Sequence, residues 1–522
     1  MFHYFYQRLP FNRTCRNDVF APSAMSESTR KKEDIADIIA SRPLNGIMTK
    51  LRLVLMLTWP AMLAQMSMVV MEYIDAAMVG SLGAAPAAAI GLVATTTWLL
   101  WGLGNSASTG FAVQVAHLVG AGNNDAARNV LRQSAISVSV VGLALALVGV
   151  AISGALPHWL GGDEDVCVQA TGYFVIFAAT LPLMLLTFLG AAMLRCSGNM
   201  VLPGMMNVVM CLLDVVFNFF LIYESRTVNI FGQDIWIPGA GMGVPGAALG
   251  TGIAFSVGGI WMWRHLAFRS QRLGRAFRVS GGMHWYTLSR SILRKALTIS
   301  WPMAIERTVM CGAMILITAI VAPLGTAAIA ANSFAITAES LCYTPGYGVG
   351  DAATTLVGQS LGAGRPRLAH SFGRLSIVLG MGIMGILGVV MWLLAPQMME
   401  MFTPDQDVQS LGVMALRTEA WAEPMFGAAI VIYCIFIGAG YTKVPAAINF
   451  GSIWAVRLTL SAFMAVELGL FGVWLAMCIE LCVRGAVFLF FFRRGKWLRT
   501  GRKDMARADA SDPDAGNQME VI

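Results

Sequence analysis

The sequence predicts an all-α integral membrane protein of about twelve transmembrane helices, arranged as two pseudo-symmetric six-helix lobes. Three observations carry that prediction. The 522 residues are 57% hydrophobic and only 12% charged, with a mean hydropathy of +0.66, whereas a soluble domain needs far more polar surface. The charges are bunched, so that stretches such as 82–116, 133–156 and 166–194 contain no Asp, Glu, Lys, Arg or His. Finally, one pattern of residues recurs at a constant offset of 242 positions.

A hydrocarbon core of about 30 Å takes about 20 helical residues to cross. Apolar runs of that length predict spans near 53–79, 86–116, 133–156, 168–194, 201–223 and 244–263, then near 296–322, 328–357, 375–398, 411–438, 444–466 and 470–492. Helix is the only sensible reading, because each backbone amide in lipid must be satisfied within its own segment. Basic residues fall before the first span (Lys31, Lys32, Arg42, Lys50, Arg52) and after the even-numbered ones, as with Arg128 and Arg132, the arginine-rich central loop, and Arg365 and Arg367. The alternate loops are neutral or acidic, as at Asp163-Glu164-Asp165 and Asp405-Gln406-Asp407. Both termini are therefore expected on the cytoplasmic side. The net charge of +7 is this topology signal and calls for no nucleic-acid partner. The expected division is a polar cytoplasmic tail over 1–48, a first lobe over 49–268, a basic linker over 269–292, a second lobe over 293–495 and a cytoplasmic tail over 496–522. No apolar leader opens the chain, and Met25 reads as an alternative start, with 1–24 an extension of it.

The repeat pairs Trp59-Pro60 with Trp301-Pro302, Leu82-Gly83 with Leu324-Gly325, and Gly120-Ala121-Gly122 with Gly362-Ala363-Gly364. It continues through Pro182 and Pro424, Gly198 and Gly440, Pro203 and Pro445, and Asn207 and Asn449. Six spans per repeat give both halves one orientation, related by an axis along the membrane normal. Shared glycines and prolines set turns, kinks and close helix contacts. Charge is not shared: Asp75 stands opposite Ile317, Asp214 opposite Val456, Glu306 opposite Ala64, Glu339 opposite Thr97 and Arg457 opposite Val215.

These residues resemble the multidrug and toxic compound extrusion (MATE) family, in its prokaryotic branch. The segments that carry the resemblance are Trp59-Pro60 with the run from Tyr73 through Asp75 to Gly83, the run from Val321 to Ala331, Gly358-Gln359-Ser360-Leu361-Gly362-Ala363-Gly364-Arg365, and the run from Gly243 to Thr251. Together they cover roughly residues 50–495. The resemblance implies a monomeric antiporter of the bacterial inner membrane. It would export amphipathic or cationic small molecules by alternating access while protons or sodium ions flow inward, with no cofactor beyond that ion. A flippase of a lipid-linked saccharide, from the related superfamily, is the alternative, and a basic cavity able to hold diphosphate would favour it.

A charge at the bilayer centre costs about 2.5–3.5 kcal/mol on insertion scales, so each needs a reason. The family's first-helix aspartate, a proposed proton or sodium site, falls on Asp75. Glu72, three residues earlier on the same face, is placed to share a proton or cation with it. Asp214 and Asn218 share a face of the fifth span, and Thr251 enters from the sixth, which suits either a hydrogen-bonded proton or a sodium ion. The family pattern here often reads Asn then Asp, whereas this chain has Asp then Asn.

In the second half Glu306, Glu339 and Arg457 lie mid-span and read as a charge relay or substrate contact. For Glu306, an ion pair with Arg457 or Arg307 and a substrate-cation site stand as alternatives, since the family's seventh-helix glutamate falls one turn later, on Met310. Asp351, Glu419 and Glu423 are expected at membrane interfaces. The nine cysteines form no CxxC pair, which signals neither a disulfide framework nor a metal site. The six histidines sit in termini, loops or span ends, and no HExxH or GxSxG occurs, so an enzyme is not expected.

Overall fold

The structure is a computed structural model that describes residues 35–41, 44, 46–230, 233–274 and 288–498. The expected start at Met25 and most of both tails and of the basic linker lie outside these residues. A short helix α1 (Ile35–Ser41) precedes the first lobe, which is built from α2 (Ile47–Gly80), α3 (Ala84–Gly120), α4 (Asn124–Ile152), the single turn α5 (Leu156–Trp159), α6 (Glu164–Cys196), α7 (Val201–Ile222) and α8 (Val244–Phe268). The second lobe comprises α9 (Arg290–Val321), α10 (Thr326–Gly362), α11 (Pro366–Phe402), α12 (Gln406–Glu419), α13 (Glu423–Gly438), α14 (Lys443–Gly451), a π-helical segment Ser452–Leu458 and α15 (Thr459–Arg494).

Nine helical stretches among the described residues are long and apolar enough to cross a membrane, and the bent pair α12–α13 makes a tenth span. The stretch Lys443–Arg494 is 52 residues long, about 78 Å at 1.5 Å per residue and too long for one crossing. It turns at Gly469, where φ is 59°, and so passes twice. Helix α10 has 37 residues but carries Glu339 and Asp351 and falls short on apolarity alone. With these two points the bundle makes the twelve expected passages.

Two features depart from the sequence prediction. An antiparallel hairpin of β1 (Glu224–Ile230) and β2 (Gln233–Ala240) fills the connection between α7 and α8. The tenth span, expected as one helix over 411–438, is broken into α12 and α13 with a 62° bend.

Small residues set the packing. Between α7 and α8 the backbones approach so closely that a Cβ on Gly246 would lie 2.7 Å from the Leu221 carbonyl oxygen, as expected where helices pack without a hydrophobic driving force between them. Turn glycines repeat in conformation as well as sequence: φ is 78° at Gly122 and 69° at Gly364, and 96° at Gly198 and 73° at Gly440, values that favour glycine.

The lobes meet where α3 crosses α10. A Cβ on Gly120 would strike the Gln359 backbone, and one on Gly362 would strike the backbone of His117. The same residues lock the seam with side chains: the His117 Nε2 atom lies 2.9 Å from the Gly438 carbonyl oxygen, and Gln359 Nε2 donates to the Cys196 carbonyl oxygen at 2.9 Å. Each of these contacts is the 242-residue mate of the other, so the repeat is a two-fold seam in three dimensions. It lies at the end of the bundle that carries Arg128, Arg132, Arg365 and Arg367. Overpacking a closely packed position costs about 1–3 kcal/mol, so Gly362→Leu is expected to lower the thermal unfolding midpoint of the purified protein and to separate spin labels placed on α3 and α10, while Gly382→Leu, at an open position, leaves both unchanged.

Candidate functional site

Asp75 lies near the C-terminal end of α2, a helix that continues unbroken through Pro60. Facing it on α7 are Asp214 and Asn218, four residues apart and both fully buried. One amide ties the three together: Asn218 Nδ2 donates to Asp75 Oδ1 at 2.7 Å and to Asp214 Oδ2 at 3.1 Å. Of the remaining side-chain oxygens, Asp214 Oδ1 and Asn218 Oδ1 are buried and accept no hydrogen bond of normal geometry among the described residues. Glycine makes the arrangement possible, because a Cβ on Gly250 of α8 would occupy the place of Asn218 Oδ1.

Thr251, half-buried on α8, donates to the Ala247 carbonyl oxygen at 3.0 Å, and its hydroxyl is also within donating reach of Asp214 on the facing helix. Glu72 is exposed and acts on Asp75 through its charge, with no hydrogen bond to it among the described residues; the carboxyl hydrogen-bonded through Asn218 with Asp75 is that of Asp214, across the helix interface. Tyr73, between the two acids, points to the other lobe and donates to the Thr337 carbonyl oxygen of α10 at 2.5 Å. One turn of α2 thus touches the acidic site on one side and the opposite lobe on the other.

In the second lobe Glu306 is buried on α9, with 8% of its surface exposed. Asn449 Nδ2 donates to its Oε1 at 2.6 Å and Tyr433 OH to its Oε2 at 3.1 Å. It forms no ion pair with Arg457 or Arg307 within the described residues. The asparagine is the repeat mate of Asn207, which donates to the Ala64 carbonyl oxygen at 3.4 Å, and Ala64 is the mate of Glu306. Equivalent asparagines therefore hold equivalent positions, one of which carries a carboxylate.

Glu339, Glu419 and Glu423 form a second buried group, with relative exposures of 4%, 0% and 0%. The expectation that Glu419 and Glu423 sit at an interface is corrected here. They flank the break between α12 and α13, whose bend carries the span end inward and buries both against α10 and α11. Neither carboxyl group has a hydrogen-bond partner of normal geometry. Arg457 lies in the π-helical segment; its Nη2 sits 2.6 Å from the Met477 sulfur, and its Nε has no partner. Asp351, half-buried on α10, accepts from Gln65 Nε2 at 3.1 Å and lies 4.0 Å from Arg195 Nε, contacts that tie it to the first lobe.

Sequence reasoning missed a buried ion pair on α15, Glu480 with Arg484 at 3.1 Å, to which Ser452 adds a hydrogen bond. Opposite charges four apart within an apolar run were the available signal. No cluster of His, Cys, Asp and Glu suited to a metal occurs among the described residues.

A profile of the MatE family matches residues 60–220 and 302–463, two stretches that begin at the repeated Pro60 and Pro302. The chain is 26% identical over 454 residues to the probable multidrug resistance protein NorM of Thermotoga maritima, covering 84% of this chain and 92% of that protein. The Vibrio cholerae MATE transporter VcmN, in its bent form, superposes with a TM-score of 0.76 at 19% identity, over 88% of this chain and 99% of that one. A MOP superfamily transporter from Pyrococcus furiosus, for which a reversed polarity of the binding pocket suggested a different function, superposes with a TM-score of 0.78 at 19% identity, over 89% and 98%. The chain belongs to the MatE family. It is a multi-pass membrane transporter of the efflux type, not an enzyme.

Because Gly250 makes the room in which Asn218 bridges the two aspartates, Gly250→Ala is expected to lower transport at least about tenfold, equivalent to about 1.4 kcal/mol, with the amount of protein in the membrane unchanged. Initial rates of efflux normalised to protein by immunoblot read this directly. Gly91→Ala, on α3 with a helical backbone and no neighbour near its added Cβ, is the control for a glycine substitution that meets no contact.

Proposed function

We propose that the protein exports amphipathic, cationic compounds across the bacterial inner membrane in exchange for protons or sodium ions, alternating between two lobe arrangements. The observation that carries this reading is the pair of carboxyl groups on α2 and α7 joined by the single amide of Asn218. Two carboxylates brought together out of water repel unless a proton or a cation sits with them. The buried oxygens Asp214 Oδ1 and Asn218 Oδ1, which accept no hydrogen bond of normal geometry among the described residues, are suitable acceptors for either. Loading this site draws α2 onto α7; emptying it releases α2. Since Tyr73 of the same helix turn is hydrogen-bonded to α10 of the other lobe, the movement reaches the lobe interface without an intermediary.

The positive-inside pattern places the basic end in the cytoplasm. On this reading the Gly120–Gln359 and Gly362–His117 seam closes the cytoplasmic side, as an outward-facing arrangement ready to release substrate and take up an ion requires. The curated relatives named for multidrug resistance support the substrate class. Flipping of a lipid-linked saccharide is less well supported, because the deep groups are mainly carboxylates, which repel a diphosphate.

The test is ethidium efflux in inverted membrane vesicles, driven in turn by a pH gradient and by a sodium gradient. One gradient is expected to drive export in the wild type, and Asp75→Asn is expected to reduce the rate below about one-tenth with unchanged insertion and unfolding temperature. Full export by Asp75→Asn, or none by the wild type under either gradient, contradicts the proposal.

A further inference from the structure

The two lobes differ most at one place that the ion site does not use. In the first lobe α7 lies directly on α2: a Cβ on Gly204 would be 2.7 Å from the Pro60 carbonyl oxygen. Their repeat mates, Ala446 and Pro302, do not close the same way. Both line a crevice of about 460 Å3 between α9 and the α14–π segment, within the range of about 300–1,000 Å3 typical of small-molecule sites. The helix itself differs, since residues 210–216 are α-helical in the first lobe while the matching Ser452–Leu458 is π-helical. A π segment widens a helix locally and occurs frequently at functional positions.

The crevice has a composition of its own. Its rim carries Trp301, Phe450 and Trp454, exposed to 66%, 51% and 36%, and the walls are otherwise apolar apart from Glu306, Asn449 and Lys443. Glu306 is buried with both oxygens held in place by Asn449 and Tyr433; among the described residues Arg307 and Arg484 act on it through their charge, but neither closes to ion-pair distance. Lys443 is exposed at the basic end, six residues before Asn449 on the same helix, or about 9 Å away. An acyl chain would fill the volume but supply no charge for Glu306. A flat aromatic cation supplies it, and gains from the ring faces of the rim.

We infer that the α9–α14 crevice is a binding site for planar aromatic cations, open to the apolar side of the second lobe and separate from the Asp75 site. The inference rests on the export reading above and names where such a substrate is held. Rings lie against Trp301 and Trp454, and the positive charge faces Glu306. Lys443 disfavours entry from the basic end, so the cation enters over the aromatic rim from the hydrocarbon. At the matching place in the first lobe Ala64 stands where Glu306 does and α7 lies directly on α2, so the site is assigned to the second lobe.

The test uses the full-length protein in lipid nanodiscs, photolabelled with ethidium monoazide and mapped by peptide mass spectrometry, alongside ethidium efflux by the same protein in vesicles. Adducts are expected within 301–310 and 443–454, reduced at least tenfold by Ala446→Trp, which fills the crevice, and by Glu306→Gln, which keeps the shape and removes the charge. Wild-type mapping needs no variant to fold, so it decides the matter even if a substitution is damaging. Adducts confined to other helices in a protein that still exports ethidium overturn the crevice site and leave the export reading intact. Adducts at the crevice that Glu306→Gln leaves undiminished overturn the role of the charge, and with it the assignment to cations. Neither labelling nor efflux overturns both.

Discussion

The backbone of α3 lies against that of α10 because Gly120 and Gly362 carry no side chain, and the rest of the architecture hangs on that contact. Helices in lipid gain nothing from burying apolar surface against one another, so association depends on close approach and on polar groups satisfied across the interface. Both are present at the seam, and both are doubled by the repeat: His117 reaches Gly438 in one lobe as Gln359 reaches Cys196 in the other. A symmetric pivot of this kind leaves each lobe free to specialise on either side of it.

Specialisation follows the charges. The first lobe places two carboxyl groups and an amide at the α2–α7 interface, held from behind by the space over Gly250. The second has no counterpart of that site. It buries Glu306 beneath an open crevice and gathers Glu339, Glu419 and Glu423 around the broken tenth span, with Arg457, Glu480 and Arg484 within the same lobe. Ion exchange in one lobe and substrate retention in the other require only that both act on the same seam, and Tyr73 already connects the first-lobe site to α10.

Much of this was legible in the sequence for a definite reason. A helix crossing lipid needs a long apolar run, and interruptions by charge are expensive enough that each one marks a place worth attention. Asp75, Asp214 and Asn218 stood out on those grounds, and the structure brings them together. Glu419 and Glu423 were misread because a charge near the end of a run is ordinarily solvated; only the 62° bend turns that end inward. For Glu72, three residues along a helix fix a shared face with Asp75 but not a shared hydrogen bond, which Asp75 makes across to α7 instead. The hairpin of β1 and β2 lies outside the apolar runs from which the spans were read. The crevice left no sequence signal, because it depends on a π-helical distortion and on two helices failing to touch where their repeat mates do.

The central claim, that substrate and ion displace one another through Asp75, is tested most directly at equilibrium. Purified protein in nanodiscs is mixed with ethidium while proton release is followed with a pH-sensitive dye and sodium release with 22Na+. The expected result is release of one of the two ions on ethidium binding in the wild type, absent in Asp75→Asn although that variant still binds ethidium. Binding with no ion released, or release that persists undiminished in Asp75→Asn, would contradict the account.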